Sequence, residues 1–198
     1  MRLSSLVIPG LSLVQIVSAQ VATSARTIKA TIPSGDTVEI YRHGATVSSW
    51  NSSRGEQHIF LSTASALDGS AALRGGIPVV FPNFGTPPTN HSTSQMPSHG
   101  FARNSTWDFV GSKVAEEGKS IILTFHLDSS MLIASYQAKW PLSVDLTYTV
   151  TLSPNNLRAN LKVENTDKVP FEFQYLLHAY MALPVSCSFI NAMICQPI

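Results

Sequence analysis

Cysteine is almost missing from this chain: there are two in 198 residues, Cys187 and Cys195, both within the last dozen. A disulfide framework is thereby excluded, and neither thiol has the neighbours of a metal site or a nucleophile, although one local bridge in an oxidising compartment stays open. Charge is scarce as well. Asp, Glu, Lys and Arg make up 13% of the sequence and leave a net charge of +1, which provides no electrostatic footprint for nucleic acid or an acidic surface. No apolar run approaches the roughly twenty residues that a membrane-crossing helix needs, so neither nucleic acid nor membrane is expected as a partner. The Gly-x-Ser-x-Gly elbow, a phosphate-cradling nucleotide loop and the aromatic-plus-basic strand pair of an RNA reader are absent too. His43, His58, His91 and His126 fall at no spacing that pairs ligands on a helix face, so no metal is expected. What remains, 44% apolar residues, suits one soluble domain with a substantial core.

Helix signals are poor, and period-two alternation dominates from about Thr27 onward. Its clearest stretch runs from Ser143 to Leu152, where Val144, Leu146, Tyr148, Val150 and Leu152 share one face and Asp145, Thr147, Thr149 and Thr151 the other. The turn-forming run Ser153-Pro-Asn-Asn156 interrupts it, and alternation resumes through Leu157, Ala159, Leu161 and Val163, which predicts a hairpin. Further strands are predicted at 27–32, 37–42, 45–50, 58–62, 107–110, 121–127 and 171–183. Many short strands between Gly, Pro, Ser and Asn clusters indicate an all-β antiparallel sandwich or barrel. Two polar loops, 63–73 and 86–97, flank the most distinctive motifs, and loops beside a rigid sheet are where binding residues concentrate.

At the N-terminus, Arg2 precedes a mildly apolar stretch from Leu3 to Val17, and Val17-Ser-Ala19 resembles a small-residue cleavage site. Residues 1–19 are therefore expected to be a signal peptide, which would make the protein secreted. Ser4, Ser5, Pro9, Gly10, Ser12 and Gln15 dilute the stretch, so a cytoplasmic protein with an N-terminal extension is the alternative. Acceptor triplets for N-glycosylation stand at Asn51-Ser-Ser53, Asn90-His-Ser92 and Asn104-Ser-Thr106.

Three motifs carry chemistry. Arg74-Gly-Gly-Ile-Pro78 places a guanidinium before two glycines whose missing Cβ atoms admit a ligand or a second backbone. Pro78 and Pro82 stiffen the apolar run that they bracket and so hold Arg74 in place. The bland alternative is a surface arginine beside a tight turn. His99-Gly-Phe-Ala-Arg103 supplies a second guanidinium, and two such forks could neutralise a phosphomonoester; for His99 itself a structural residue bonded to backbone is favoured over direct catalysis. Phe171 to Tyr180 is an apolar strand holding His178, where desolvation and a nearby phosphate would oppose each other in setting the proton affinity. A satisfied core histidine is the competing reading.

Gly44-Ala-Thr-Val-Ser-Ser-Trp50, Leu67-Asp-Gly69, Arg74-Gly-Gly-Ile-Pro78, Phe81-Pro82, Phe84-Gly85, His99-Gly-Phe-Ala-Arg-Asn-Ser-Thr-Trp107 and Leu177-His178 stand in an order that resembles the hexose-6-phosphate mutarotases of the aldose 1-epimerase family. The resemblance covers about 28–184. It implies a galactose-mutarotase-type β-sandwich, incomplete at its C-terminus, acting without a cofactor on hexose 6-phosphates; a monomer is the separate expectation for its assembly. It also implies that Arg74 and Arg103 bind the sugar phosphate and that His178 is the general acid on the ring oxygen. His99 and Ser98 would line the substrate site, Ser98 replacing a family glutamine. The family's catalytic base is a glutamate further along, with no counterpart here, which makes this chain a shortened version of the enzyme whose inactivity is a further alternative, and 185–198 no longer resembles the family. Residues 20–184 are thus expected to form a partial mutarotase-like domain, followed by a divergent tail. A non-catalytic sugar-phosphate-binding sandwich and a mutarotase of free aldoses remain as alternatives.

Overall fold

In the computed structural model, which describes residues 18–183, the polar-apolar alternation becomes two antiparallel meanders. Most of the expected leader, the divergent tail and both cysteines lie outside the described residues. The first sheet runs in chain order through β1 (Gln20–Thr23), β2 (Thr27–Thr31), β3 (Thr37–Tyr41) and β4 (Thr46–Asn51). Next in sequence comes the short β5 (Val79–Val80), which pairs with β10 (Leu176–Leu177) near the end of the described chain. The second large sheet comprises β6 (Asp108–Ala115), β7 (Ser120–Asp128), β8 (Val144–Ser153) and β9 (Asn156–Asn165), again in order.

The β8–β9 hairpin forms at the expected place, with Ser153 opposite Asn156. Asn155 takes a left-handed φ of 54°, which suits the position after a proline in a tight turn. Its backbone N–H donates to Asp36 Oδ1 at 3.1 Å, so a fully buried carboxylate in the β2–β3 turn ties one sheet to the other. Apolar faces of both sheets enter one core: Ile28, Ile40 and Val47 from the first, and Leu123, Phe125, Leu146, Tyr148 and Val150 from the second. Trp107, Trp140, Phe81 and Phe101 fill the space between, all within 1% of complete burial. The hydrophobic contribution grows with the apolar area so removed from water.

Three expectations change. The stretch 58–62 is extended but makes only isolated bridges, Ile59 to Met181 and Leu61 to Gly75, because its neighbours on either side are themselves irregular. The predicted strand 171–183 shortens to β10, and its aromatic run is not buried: Phe173, Tyr175 and Tyr180 are 38%, 58% and 40% exposed, since no described element covers that face. A short helix, α1 (Ala134–Lys139), also appears where no helix signal stands out. It is fixed by tertiary packing, with Trp140 at its end buried against Phe81 and Phe101 at ring-centroid distances of 5.8 and 5.5 Å.

Candidate active site

Three chain segments meet at the motif residues, and backbone hydrogen bonds set their alignment. The Gly75–Phe81 segment lies beside β10 and its continuation, with His178 N donating to Pro78 O at 3.0 Å and Tyr180 N to Gly76 O at 2.9 Å. On its other side Ile77 N donates to Val47 O at 2.9 Å. The two glycines after Arg74 exist for this packing. A Cβ on Gly75 would stand 2.5 Å from Phe60 O and one on Gly76 2.6 Å from Val47 O, so they admit a second backbone rather than a ligand.

The third segment is the loop 97–103. Phe81 O accepts from Phe101 N at 3.0 Å and Ala102 N at 3.2 Å, and Gly100 bridges Phe81. His99 and Gly100 both adopt left-handed φ, 68° and 71°, which turns the chain sharply and directs the imidazole back over the segment. Only glycine fits the second position: an added Cβ would lie 2.0 Å from Phe81 O.

This geometry brings His99 and His178 together, with ring centroids 5.7 Å apart and planes at 89°. His99 is held at two points by Gly85, its backbone N–H donating to Gly85 O at 3.1 Å and its Nδ1 accepting from Gly85 N at 3.3 Å. With Nδ1 committed as acceptor, the neutral ring carries its proton on Nε2. Burial lowers the proton affinity of His99 from its ordinary value, and the neighbouring Arg103 and His178 lower it further. His99 is thus a neutral donor near neutral pH, beside a fixed cation and a second imidazole.

Arg103 sits on a 3₁₀ turn (Ala102–Asn104) and is half-buried, and its Nε has no hydrogen-bond partner among the described residues. Arg74 is exposed. Its main chain is fixed by Ser65, whose Oγ accepts from Arg74 N at 2.8 Å and donates to Arg74 O at 3.0 Å. Neither guanidinium forms an ion pair among the described residues. Arg103 acts on the His99 ring electrostatically, whereas Arg74, four residues before Pro78 at the head of the segment, is not among the charges that do. Ser98 is exposed at the loop's outer side. The structure therefore brings His99 and His178 together with Arg103 within electrostatic reach of His99, while Arg74 and Ser98 are exposed.

Two aromatic residues named in the sequence, but given no place at the site there, stand beside the histidines. Tyr180 stacks on His178 with centroids 4.8 Å apart and planes at 16°, and Phe84 packs 5.4 Å from His99. The two-residue spacing of His178 and Tyr180 on an extended strand was the available signal. Gln174 clamps the Phe84 backbone, its Oε1 accepting from Phe84 N at 3.0 Å. Glu172 instead faces His91, with Oε2 3.5 Å from Nε2, so it is engaged away from the histidine pair.

The family model described as Aldose 1-epimerase matches residues 26–192, most of the chain. The chain belongs to the aldose 1-epimerase family. A Cenchrus ciliaris protein named "Putative glucose-6-phosphate 1-epimerase" is 33% identical over 146 residues, covering 72% of this chain and 42% of that relative. A Salmonella typhimurium protein of the same name is 36% identical over 98 residues, half of this chain and 30% of that one. Among solved structures, a Salmonella typhimurium protein described as a "putative mutarotase" superposes with a TM-score of 0.60 at 25% identity, covering 76% of this chain and 48% of that one. A galactose mutarotase-related enzyme from Lactobacillus acidophilus gives 0.59 at 20% identity, with coverages of 86% and 51%, and supports the fold alone. The chain spans less than half the length of the curated relatives it matches. Its nearly all-β antiparallel architecture is that of the galactose-mutarotase-like folds.

Proposed function

We propose that this member of the aldose 1-epimerase family acts on the anomeric centre of hexose 6-phosphates, interconverting their α and β forms. The observation that carries the reading is the contact between His99 and His178 beside a guanidinium without an ion-pair partner among the described residues. His178 is the general acid: it protonates the ring oxygen as the bond from that oxygen to C1 breaks, and takes the proton back when the ring closes. His99 has Nδ1 occupied by Gly85 N–H, so Nε2–H is the face it presents, which suits a donor to a sugar hydroxyl and not a base. Arg103 binds the phosphate, with the exposed Arg74 joining when substrate is present. Ser98 adds an exposed hydroxyl. The resemblance assigns the base that takes the anomeric proton to a glutamate in a more C-terminal portion, with no counterpart in this chain, so here that proton passes to solvent water as the ring opens and water returns one when it closes.

Exchange NMR between the two anomers of glucose 6-phosphate tests the proposal. Exchange well above the buffer rate, abolished by His178→Ala, is the supporting result. Exchange at the buffer rate together with no thermal stabilisation by the ligand would refute it. Stabilisation without exchange would instead identify a sugar-phosphate-binding protein. Equal rates for glucose and its 6-phosphate, unchanged by Arg103→Leu, would point to free aldoses.

A further inference from the structure

The three N-glycosylation triplets are unequal in the folded chain. Asn51 is the last residue of β4, and its side-chain amide donates to Ser49 Oγ at 2.9 Å and to Thr37 Oγ1 at 3.4 Å, which ties β4 to β3. Asn104 donates from Nδ2 to Gly100 O at 3.2 Å, a bond that closes the turn carrying Arg103 and His99. In both, the nitrogen that would carry a sugar is already a structural donor. A glycan added to the nascent chain at either position replaces one amide hydrogen and sets a bulky group where a strand pair or a tight turn must form.

Asn90 differs in each respect. It is exposed, it lies in the loop between Phe84 and Pro97, and its left-handed φ of 60° lifts it from the chain at a turn, a conformation asparagine tolerates. Among the described residues its side-chain amide makes no hydrogen bond, and Ser92, whose hydroxyl the transferase must read, is exposed too. The neighbouring His91 turns the other way, its Nδ1 2.8 Å from Thr93 Oγ1 and its Nε2 toward Glu172, so the loop stays pinned while the asparagine faces outward.

We propose that Asn90 is the N-glycan acceptor of this chain whenever it enters a secretory lumen, the one triplet of the three whose amide the fold leaves uncommitted. In the transfer, Nδ2 of Asn90 bonds to C1 of an oligosaccharide carried on a lipid diphosphate. The bond from C1 to the diphosphate oxygen breaks, the lipid diphosphate leaves, and the amide loses one proton.

The test is independent of the chain's own N-terminus and of the sugar-phosphate activity. The full chain is placed behind an established secretion leader in a eukaryotic host, and the folded, secreted product is mapped by glycopeptide mass spectrometry before and after endoglycosidase. A single endoglycosidase-sensitive shift, located at Asn90 and lost in Asn90→Gln but not in Asn51→Gln or Asn104→Gln, is expected. Folded product with Asn90 unoccupied, or with Asn51 or Asn104 occupied as fully as Asn90, overturns the assignment.

Discussion

Gly100→Ala is the substitution that most directly tests how the histidine pair is positioned. The backbone at residue 100 is left-handed, φ 71°, and the new Cβ would fall 2.0 Å from Phe81 O, well inside any tolerated contact. The conformation alone costs a non-glycine residue about 1–2 kcal/mol. Relieving the overlap requires Phe81 O to move away from the Phe101 and Ala102 N–H groups that it accepts at 3.0 and 3.2 Å, each worth about 0.5–1.5 kcal/mol. The sum is about 2–5 kcal/mol, a large share of the roughly 5–15 kcal/mol that holds a domain of this size. Gly118→Ala is the control: its φ is 93° but nothing lies within 4 Å of the added carbon, so it should lose only the conformational part, about 1–2 kcal/mol. Urea unfolding of both variants against the parent, with equal slopes, reads the difference directly. Because the loop carries His99, the Gly100 variant should also lose sugar-phosphate binding while the Gly118 variant keeps it. If the two variants unfold at the same urea concentration, the close approach of Gly100 to Phe81 does not hold this loop and the reasoning fails.

Tyr148 is fully buried and its hydroxyl has no partner among the described residues, so Tyr148→Phe should stabilise the protein by about 1 kcal/mol; loss of stability in the same urea assay would show that the hydroxyl is bonded after all. Asp36→Ala leaves the Asn155 N–H without its acceptor at the junction of the sheets and should cost about 1–3 kcal/mol, with Asp36→Asn costing less because it keeps an oxygen there. Burial lowers the proton affinity of both His99 and His43, Arg103 and His178 adding to the effect at His99 and Asp68 opposing it at His43. Each folded-state value therefore lies below the unfolded 6.5, so the unfolded chain holds more protons between the two and stability rises with pH there. The contribution is complete above about pH 6.5 and is lost as the pH falls through the lowered values, so His99→Gln should flatten the pH dependence of urea stability below about pH 6.5; an unchanged slope would show that His99 makes no such contribution.

The meanders were readable in advance because a strand buried on one face must alternate, and β8 and β9 do so for ten residues each around a Pro-Asn turn. The resemblance named the motif residues in their order. Whether they meet was not readable, since a long loop separates Arg74 from His99 and the whole second sheet separates His99 from His178, so their approach depends on contacts remote in sequence. Hydrogen bonds that the Pro78 and Phe81 carbonyls accept from segments about twenty to a hundred residues away bring His99 to His178. The same distinction separates the three glycosylation triplets, identical as patterns and different once Asn51 and Asn104 have committed their amides to the fold. Local pattern sets which residues alternate, turn or resemble, because it depends on near neighbours. Which side chains converge, and which donors are left free, is decided only when distant backbones satisfy one another's hydrogen bonds.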